Sequence, residues 1–439
     1  MTPFEKIQAY SKAVCAQMRW KKAHPIITEE IENHLIDQRN AYIADGADEA
    51  AATDKAITQM GDPVTVGAQL DRTHRPKPQW GMLILTAVLL ATGLFVRTFF
   101  VSSDEQLAPT VISIIVGLGL MTAAYFTDFT IIGKHPTRLY FALMALTVIA
   151  IIITPVINGG FYYADYLTLL FPLGFTAIVY ATRNKGYRGI ILCGFAYLLP
   201  AFLAYYIPSA SSFLLLTLSS LVILCLAISV KWFNVKVLRG FLLVLTPVAI
   251  VLLLIVVLLY GSYQWERIQA MFDPLPYSSS YGYTAVQAKL FISGSSFIGH
   301  GIITDAAANL HWLSHSTDFL ITYLIFNYGW VSFVVIMGLL LFFIVKGFVL
   351  CSRQKSRLAL FVSVTVMMTF TIQVIGYVTA NLGLQLLLPI SLPLISYGNI
   401  AAMINLTLIG IMLSMFRTGD IIKDKDINPQ SIKKRNYAL

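Results

Sequence analysis

From Trp80 onward the chain is a succession of apolar runs of roughly 18 to 25 residues, each long enough to cross a ~30 Å hydrocarbon core as a helix. They fall near 80–101, 108–127, 138–157, 161–182, 188–207, 210–231, 238–260, 318–349, 357–380 and 387–416. The first 78 residues obey another rule. There apolar positions recur at helical spacing, with Phe4, Ile7, Val14 and Met18 on one face and Ile31, Leu35, Tyr42 and Ile43 on a second. A third helix is expected from about Asp48 to Met60. Thr28-Glu29-Glu30 offers a capping hydroxyl and acids at a helix start, while Gly46 and Gly61-Asp62-Pro63 offer stops. The pattern predicts an all-α polytopic membrane protein with about ten transmembrane helices, preceded by a small cytosolic helical bundle. Its parts are residues 1–78, the bundle; 79–417, the membrane domain; and 418–439, a basic tail.

Composition agrees, since 57% hydrophobic and 12% charged residues over 439 positions exceed what one soluble core can hide. Residues 1–78 hold 10 Lys+Arg and 11 Asp+Glu, a net of −1, so the chain's +9 leaves +10 for the remainder. That excess gathers in alternate loops: Arg72, Arg75 and Lys77; Lys134 and Arg138; Arg183, Lys185 and Arg188; Lys231, Lys236 and Arg239; Arg353, Lys355 and Arg357; then the tail. The intervening loops hold Asp104 and Glu105 or almost no charge, so both termini are expected in the cytoplasm of a bacterial cytoplasmic membrane. The excess reads as a topology signal, and no nucleic-acid motif accompanies it. The mixed-charge N-terminus lacks an early apolar run, so no cleavable signal peptide is expected. Cys15, Cys193, Cys225 and Cys351 show no pairing or zinc spacing.

One outside loop, residues 261–317, is long and rich in Gly, Ser, Tyr and His, and long loops usually carry function. The spans have almost no central ionisable residue: Asp165 lies near an outer end and Lys346 near an inner one. That argues against an ion pump or proton-coupled carrier. Pro389, Pro393 and Gly398 read as a broken start to the tenth span, making Asn381, Ser396 and Tyr397 candidate cavity-lining groups. Gln373 and Asn405 read as interhelical hydrogen-bond glue.

Residues from about Trp80 to Arg417 resemble the SEDS family (shape, elongation, division and sporulation), the FtsW/RodA/SpoVE-type membrane proteins. The stretch from Leu388 to Gly398 looks like the family's "G-I-P-L-P-F-I-S-Y-G-G", with Asn381-Leu382-Gly383 upstream as in its "N-I-G". Thr317-Asp318-Phe319 with Gly329-Trp330 is a second match, and Gly282-Tyr283, Gln287, Lys289, Gly299 and Gly301 in the long loop are a third. The stretch from Glu29 to Pro63 is similar to HAAS-type or permease-prefix helical modules.

The SEDS resemblance implies a peptidoglycan glycosyltransferase that joins lipid II disaccharides at the outer face, beside a class B penicillin-binding transpeptidase. Such chemistry asks for a carboxylate to take the proton from an attacking hydroxyl and for cations, with or without a divalent metal ion, to hold a leaving pyrophosphate. Without gaps, the family's catalytic aspartate falls on Tyr277, a poor base at neutral pH. With compensating gaps, Asp273-Pro274-Leu275 takes that place. Other family features are replaced: Gly160-Phe161-Tyr162 stands where arginines follow Asn158-Gly159, Pro172-Leu173-Gly174 replaces "P-S-E", and Ile325, Phe326 and Asn327 replace acids.

The candidates are thus Asp273 as general base and Arg267, Lys289, Gln287, Asp318, Asn381, Ser396 and Tyr397 as substrate-binding groups. Each has a plainer role: an Asp-Pro turn for Asp273, helix capping for Asp318, interfacial snorkelling for Arg267 and Lys289. His300, His311 and His315 have spacings that make a weak metal case. The readings that follow are a divergent lipid II glycosyltransferase, a non-catalytic precursor-binding or scaffold protein, and, below these, a lipid flippase.

Overall fold

The N-terminal helix α1 (Pro3–Ala16) begins where Thr2 and Glu5 form a reciprocal capping box and Pro3 presets the first turn. The computed structural model describes residues 1–100, 107–156, 160–207, 209–303, 308–309, 317–384, 390–396 and 399–419. These divide into two compact units that part between Pro78 and Gln79 and again between Phe416 and Arg417.

In the first unit, α2 (His24–Ala44), α3 (Glu49–Met60) and α4 (Pro63–His74) follow α1 around a core of Ile7, Val14, Ile27, Ile31, Leu35 and Ala56. Gly61-Asp62-Pro63 both ends one helix and begins the next. The Asp62 carboxylate accepts from the Thr65 N–H and Pro63 takes the first turn, so the bundle has four helices where three were expected. Three other expectations fail. Thr28 lies inside α2, which starts four residues earlier at His24-Pro25, and its hydroxyl meets Cys15 Sγ at 3.2 Å. Phe4 and Ile43 are exposed, whereas Tyr10 and Ile27, which the apolar pattern left out, lie in the core.

In the second unit, all of the described helices long and apolar enough to cross a membrane number ten. They are α5 (Trp80–Phe100), α6 (Leu107–Phe126), α8 (Pro136–Ile153), the pair α9 (Tyr162–Leu167) and α10 (Phe171–Ala181), α11 (Gly186–Tyr206), α12 (Ala210–Ser229), α13 (Val237–Leu259), α17 (Trp330–Ser352), α18 (Arg357–Asn381) and α19 (Asn399–Thr418), with the short α7 (Thr130–Lys134) before α8. The chain is a multi-pass, all-α membrane protein.

Helix α18 is the centre, packed against α10, α12 and α17, and a buried Thr176–Thr365 hydroxyl pair at 2.6 Å fastens it to α10. The expected eighth span breaks at Gly329 (φ +90°) into α16 (Leu320–Tyr328) and α17. The tenth begins at Asn399 rather than 387, because residues 390–396 run as turns. The 261–317 stretch is not bare loop: α14 (Tyr263–Phe272) and α15 (Tyr283–Ser293) form within it.

Candidate functional site

Helix α18 ends on two polar residues one turn apart, Tyr377 and Asn381, both buried. They serve a neighbour. Helix α16 starts with no side-chain cap of its own, so its first N–H groups need outside acceptors. Tyr377 Oη accepts from the Leu320 N–H at 3.2 Å and Asn381 Oδ1 from the Thr322 N–H at 3.1 Å. Asn381 Nδ2 donates to the carbonyls of Asp318 at 3.0 Å and Tyr377 at 2.9 Å, while the Thr322 hydroxyl donates to the Asn381 carbonyl at 2.7 Å. Asn381 therefore positions the Asp318 backbone rather than facing a cavity. Asp318 does not cap α16; the side chain is exposed, yet surrounding protein desolvates it and raises its carboxyl above the usual range. It is hemmed in by protein and open on one side.

Lys289 comes to the same corner. Gly383, which stops α18 at φ +76°, lies under it: a Cβ there would sit 2.5 Å from Lys289 Cγ and 3.0 Å from the Ala285 carbonyl. Two residues before Lys289, Gln287 is buried, and its Oε1 accepts from the Asn309 N–H at 2.8 Å. Asn309 in turn donates to Tyr283 Oη at 3.1 Å. Gln287 is thus tied to the chain that follows α15.

The remaining charged candidates cluster at the start of α15. Asp273 is the C-cap of α14, exposed, with no hydrogen-bond or ion-pair partner for its carboxylate among the described residues. Arg267, on the same helix, stacks its guanidinium over Tyr281 at 4.8 Å. Tyr277 donates to Gln269 Oε1 at 2.9 Å, so its hydroxyl is engaged within the turn. Gly282 closes that turn against Pro274, where a Cβ would fall 2.3 Å from the Pro274 carbonyl oxygen. Seven residues of α15 separate Gly282 from Lys289, about 10 Å of helix. Helix α15 thus starts at the turn that follows Asp273 and carries Lys289 two turns on, against Gly383.

Ser396 lies elsewhere. Its Oγ accepts from the Leu392 N–H at 2.8 Å, and it lines a separate cavity with Arg97, Thr110, Ser113 and Asn399. Arg97 escaped the sequence reading, although a lone arginine within an apolar run is itself a signal. Tyr397, His311 and His315 lie outside the described residues. Gln373 and Asn405 do pair, at 3.3 Å in both directions, and Ser391 donates to Gln373 Oε1 at 3.2 Å, which fastens the 390–396 turns to α18 and α19. Asp165 accepts from Ser212 at 2.7 Å and so joins α9 to α12. Among the described residues no three His, Cys, Asp or Glu side chains converge as a metal cage.

A ten-span helical membrane protein with Arg267, Asp273 and Lys289 on successive helices between its seventh and eighth spans is the class that fold and site define. Within it, residues 79–419 match the FtsW/RodA/SpoVE cell cycle protein family, and the chain belongs to that family. Residues 1–78 precede the match. The chain is 25% identical over 158 residues to the peptidoglycan glycosyltransferase MrdB of Escherichia coli K12, covering 36% of this chain and 43% of that one. It is 23% identical over 157 residues to a probable peptidoglycan glycosyltransferase FtsW of Trichlorobacter lovleyi, covering 36% and 41%. It thus spans less than half the length of these curated relatives. Two solved structures share the fold. A chain from work on structural coordination of polymerization and crosslinking by a peptidoglycan synthase complex gives a TM-score of 0.62 at 20% identity, covering 78% of this chain and 98% of that one. The rod shape determining protein RodA of Thermus thermophilus gives 0.53 at 16%, covering 78% and 97%.

Proposed function

We propose that this chain is a divergent peptidoglycan glycosyltransferase that polymerises lipid II, with the α14–α15 end facing outward and both termini in the cytoplasm of a bacterial cytoplasmic membrane. One observation carries the reading: an exposed carboxylate with no partner among the described residues, Asp273, ends the helix that carries Arg267, and the turn after it opens α15, which brings Lys289 against Gly383 at the end of α18. Asp273 takes the proton from the attacking sugar hydroxyl as the new glycosidic C–O bond forms and the bond from the sugar to the lipid pyrophosphate breaks. Arg267 and Lys289 hold the departing pyrophosphate, Arg267 by its fork of donors and Lys289 as a point charge. Asp318, fixed through Asn381, contacts the sugar. A divalent cation would find one carboxylate at each place, leaving phosphate oxygens and water to fill its shell. Tyr277 has its hydroxyl turned to Gln269 and takes no part in proton transfer. The natural partner is a class B penicillin-binding transpeptidase, and residues 1–78 are a docking module of the permease-prefix kind.

The test is gel analysis of glycan strands made from labelled lipid II by the full chain with its transpeptidase. Asp273→Asn is expected to lower the rate about 100-fold or more, the scale of a lost general base, and Tyr277→Phe to leave it within about twofold. Wild-type protein that binds lipid II and makes no polymer would overturn the enzyme and leave a precursor-binding scaffold.

A further inference from the structure

The break at Gly329 frees backbone groups at the head of a membrane span: the last carbonyls of α16 and the first N–H groups of α17 have no helical partners. Residues 294–302, which follow α15, supply partners on both sides. The Ser296 and Phe297 carbonyls accept from the Trp330 and Val331 N–H groups at 3.2 and 3.3 Å. The Gly301 and Gly299 N–H groups donate to the Phe326 and Tyr328 carbonyls at 2.7 and 3.3 Å. The Ile302 N–H donates to the Gly294 carbonyl at 2.8 Å and closes the loop on the end of α15. The approach is close, since a Cβ on Gly329 would fall 2.5 Å from the Phe297 carbonyl oxygen.

The loop has an apolar anchor, and its two bulkiest tip residues are outside it. Phe291 and Phe326 are buried against each other with ring centroids 5.1 Å apart, and the His300 ring packs on Phe326 at 4.9 Å. Phe297 and Ile298 are instead 70% and 74% exposed. Residues 290–303 contain no Lys, Arg, Asp or Glu, so nothing charged keeps this tip in water. Its depth is set by α17: Trp330 opens a 23-residue span, which places the loop carbonyls bonded to Trp330 and Val331 at the edge of the hydrocarbon. Val331, Val334 and Val335 share one face of α17 and are exposed, as side chains that meet lipid are.

We propose that Phe297 and Ile298 insert into the lipid leaflet that α17 enters, a fixed apolar wedge beside the head of that span, and so hold the end of α15 at the membrane surface. Two observations name lipid as the occupant. The wedge stands at the start of the span whose Val331, Val334 and Val335 face is exposed, and the loop N–H and carbonyl groups bonded to 326–331 are already satisfied, as hydrocarbon demands of any backbone that enters it. The proposal stands whether or not the chain polymerises lipid II, since its readout is contact with acyl chains.

Photolabelling of the full chain in phosphatidylcholine vesicles tests it, with a phosphatidylcholine carrying a diazirine high on one acyl chain as probe and peptide mass mapping as readout. Wild type is expected to carry adducts on Phe297 and Ile298 about tenfold above those on the exposed Ser278, Ser279 and Ser280, with Val334 and Val335 as the lipid-facing reference. Changing Phe297→Ser and Ile298→Ser together is expected to lower labelling of the loop about tenfold and to leave Val334 and Val335 labelled, which shows that the span is intact. Loop labelling no higher than that of Ser278–Ser280 while Val334 and Val335 are labelled overturns the proposal, as does undiminished loop labelling in the double variant. Adducts that vanish when the transpeptidase is added would give the wedge a protein occupant and overturn the lipid.

Discussion

Helices α13 and α18 are both long enough to span a membrane, yet 6% of the first span window is buried in protein and 72% of the second. The more apolar of the two is the one on the outside. In water the order would reverse, but lipid is as apolar as leucine, so burial of α13 gains little. Helix α18 carries Thr365, Gln373, Tyr377 and Asn381, whose polar atoms find no partner in hydrocarbon and so draw the helix to the centre. Polar side chains, more than apolar ones, organise this membrane unit.

That contrast breaks most visibly at Asn381. Asn381→Leu strips partners from the Thr322 N–H and the Asp318 and Tyr377 carbonyls, and is expected to cost about 3 kcal/mol in unfolding measured in detergent. Leu252→Ala on the lipid face of α13 is expected to cost no more than about 0.5 kcal/mol. Equal losses would mean that apolar packing holds the unit. A milder effect is expected from the Gln373–Asn405 pair. Asn405→Leu alone should cost about 1 to 2 kcal/mol, and adding Gln373→Leu should cost less than the sum, because the second change removes the group left unpaired. Strict additivity in that cycle would show the pair to be uncoupled.

The smallest effect concerns Asp318, whose carboxyl is raised by desolvation. A raised carboxyl favours the fold in its protonated form, a contribution present in full below the ordinary carboxylate range and lost as pH rises through the folded value. Asp318→Asn is therefore expected to raise the unfolding midpoint at neutral pH, with the gain over wild type shrinking as pH falls toward 4. A lower midpoint at neutral pH would show that the ionised carboxylate stabilises the corner rather than straining it.

The ten spans were legible because hydrocarbon thickness fixes their length, and Pro393 foretold the irregular backbone before α19. The bundle was three-quarters legible: Gly61-Asp62-Pro63 was read as a stop, and its second role as the start of α4 needed the Asp62 cap to be seen. The site was read less well. Asn381 does hold the Asp318 backbone and Lys289 packs against Gly383 two residues on, while Ser396 belongs to the Arg97 cavity and Arg97 went unnoticed at the end of its span.

By itself the sequence determined what each segment must avoid: apolar runs must leave water, charged loops must keep to it, and a Gly or Pro must stop a helix where it stands. Which polar group would meet which was left to the tertiary structure. Asn381 has one local partner, the Tyr377 carbonyl one turn back, and its remaining hydrogen-bonding directions are open until the arrival of α16 at the end of α18 decides that it caps a neighbour. Arg97 is one cation in an apolar run until Gly93 lets the 394–395 backbone close in beside it. Such pairings depend on contacts tens to hundreds of residues apart, and no local pattern encodes them.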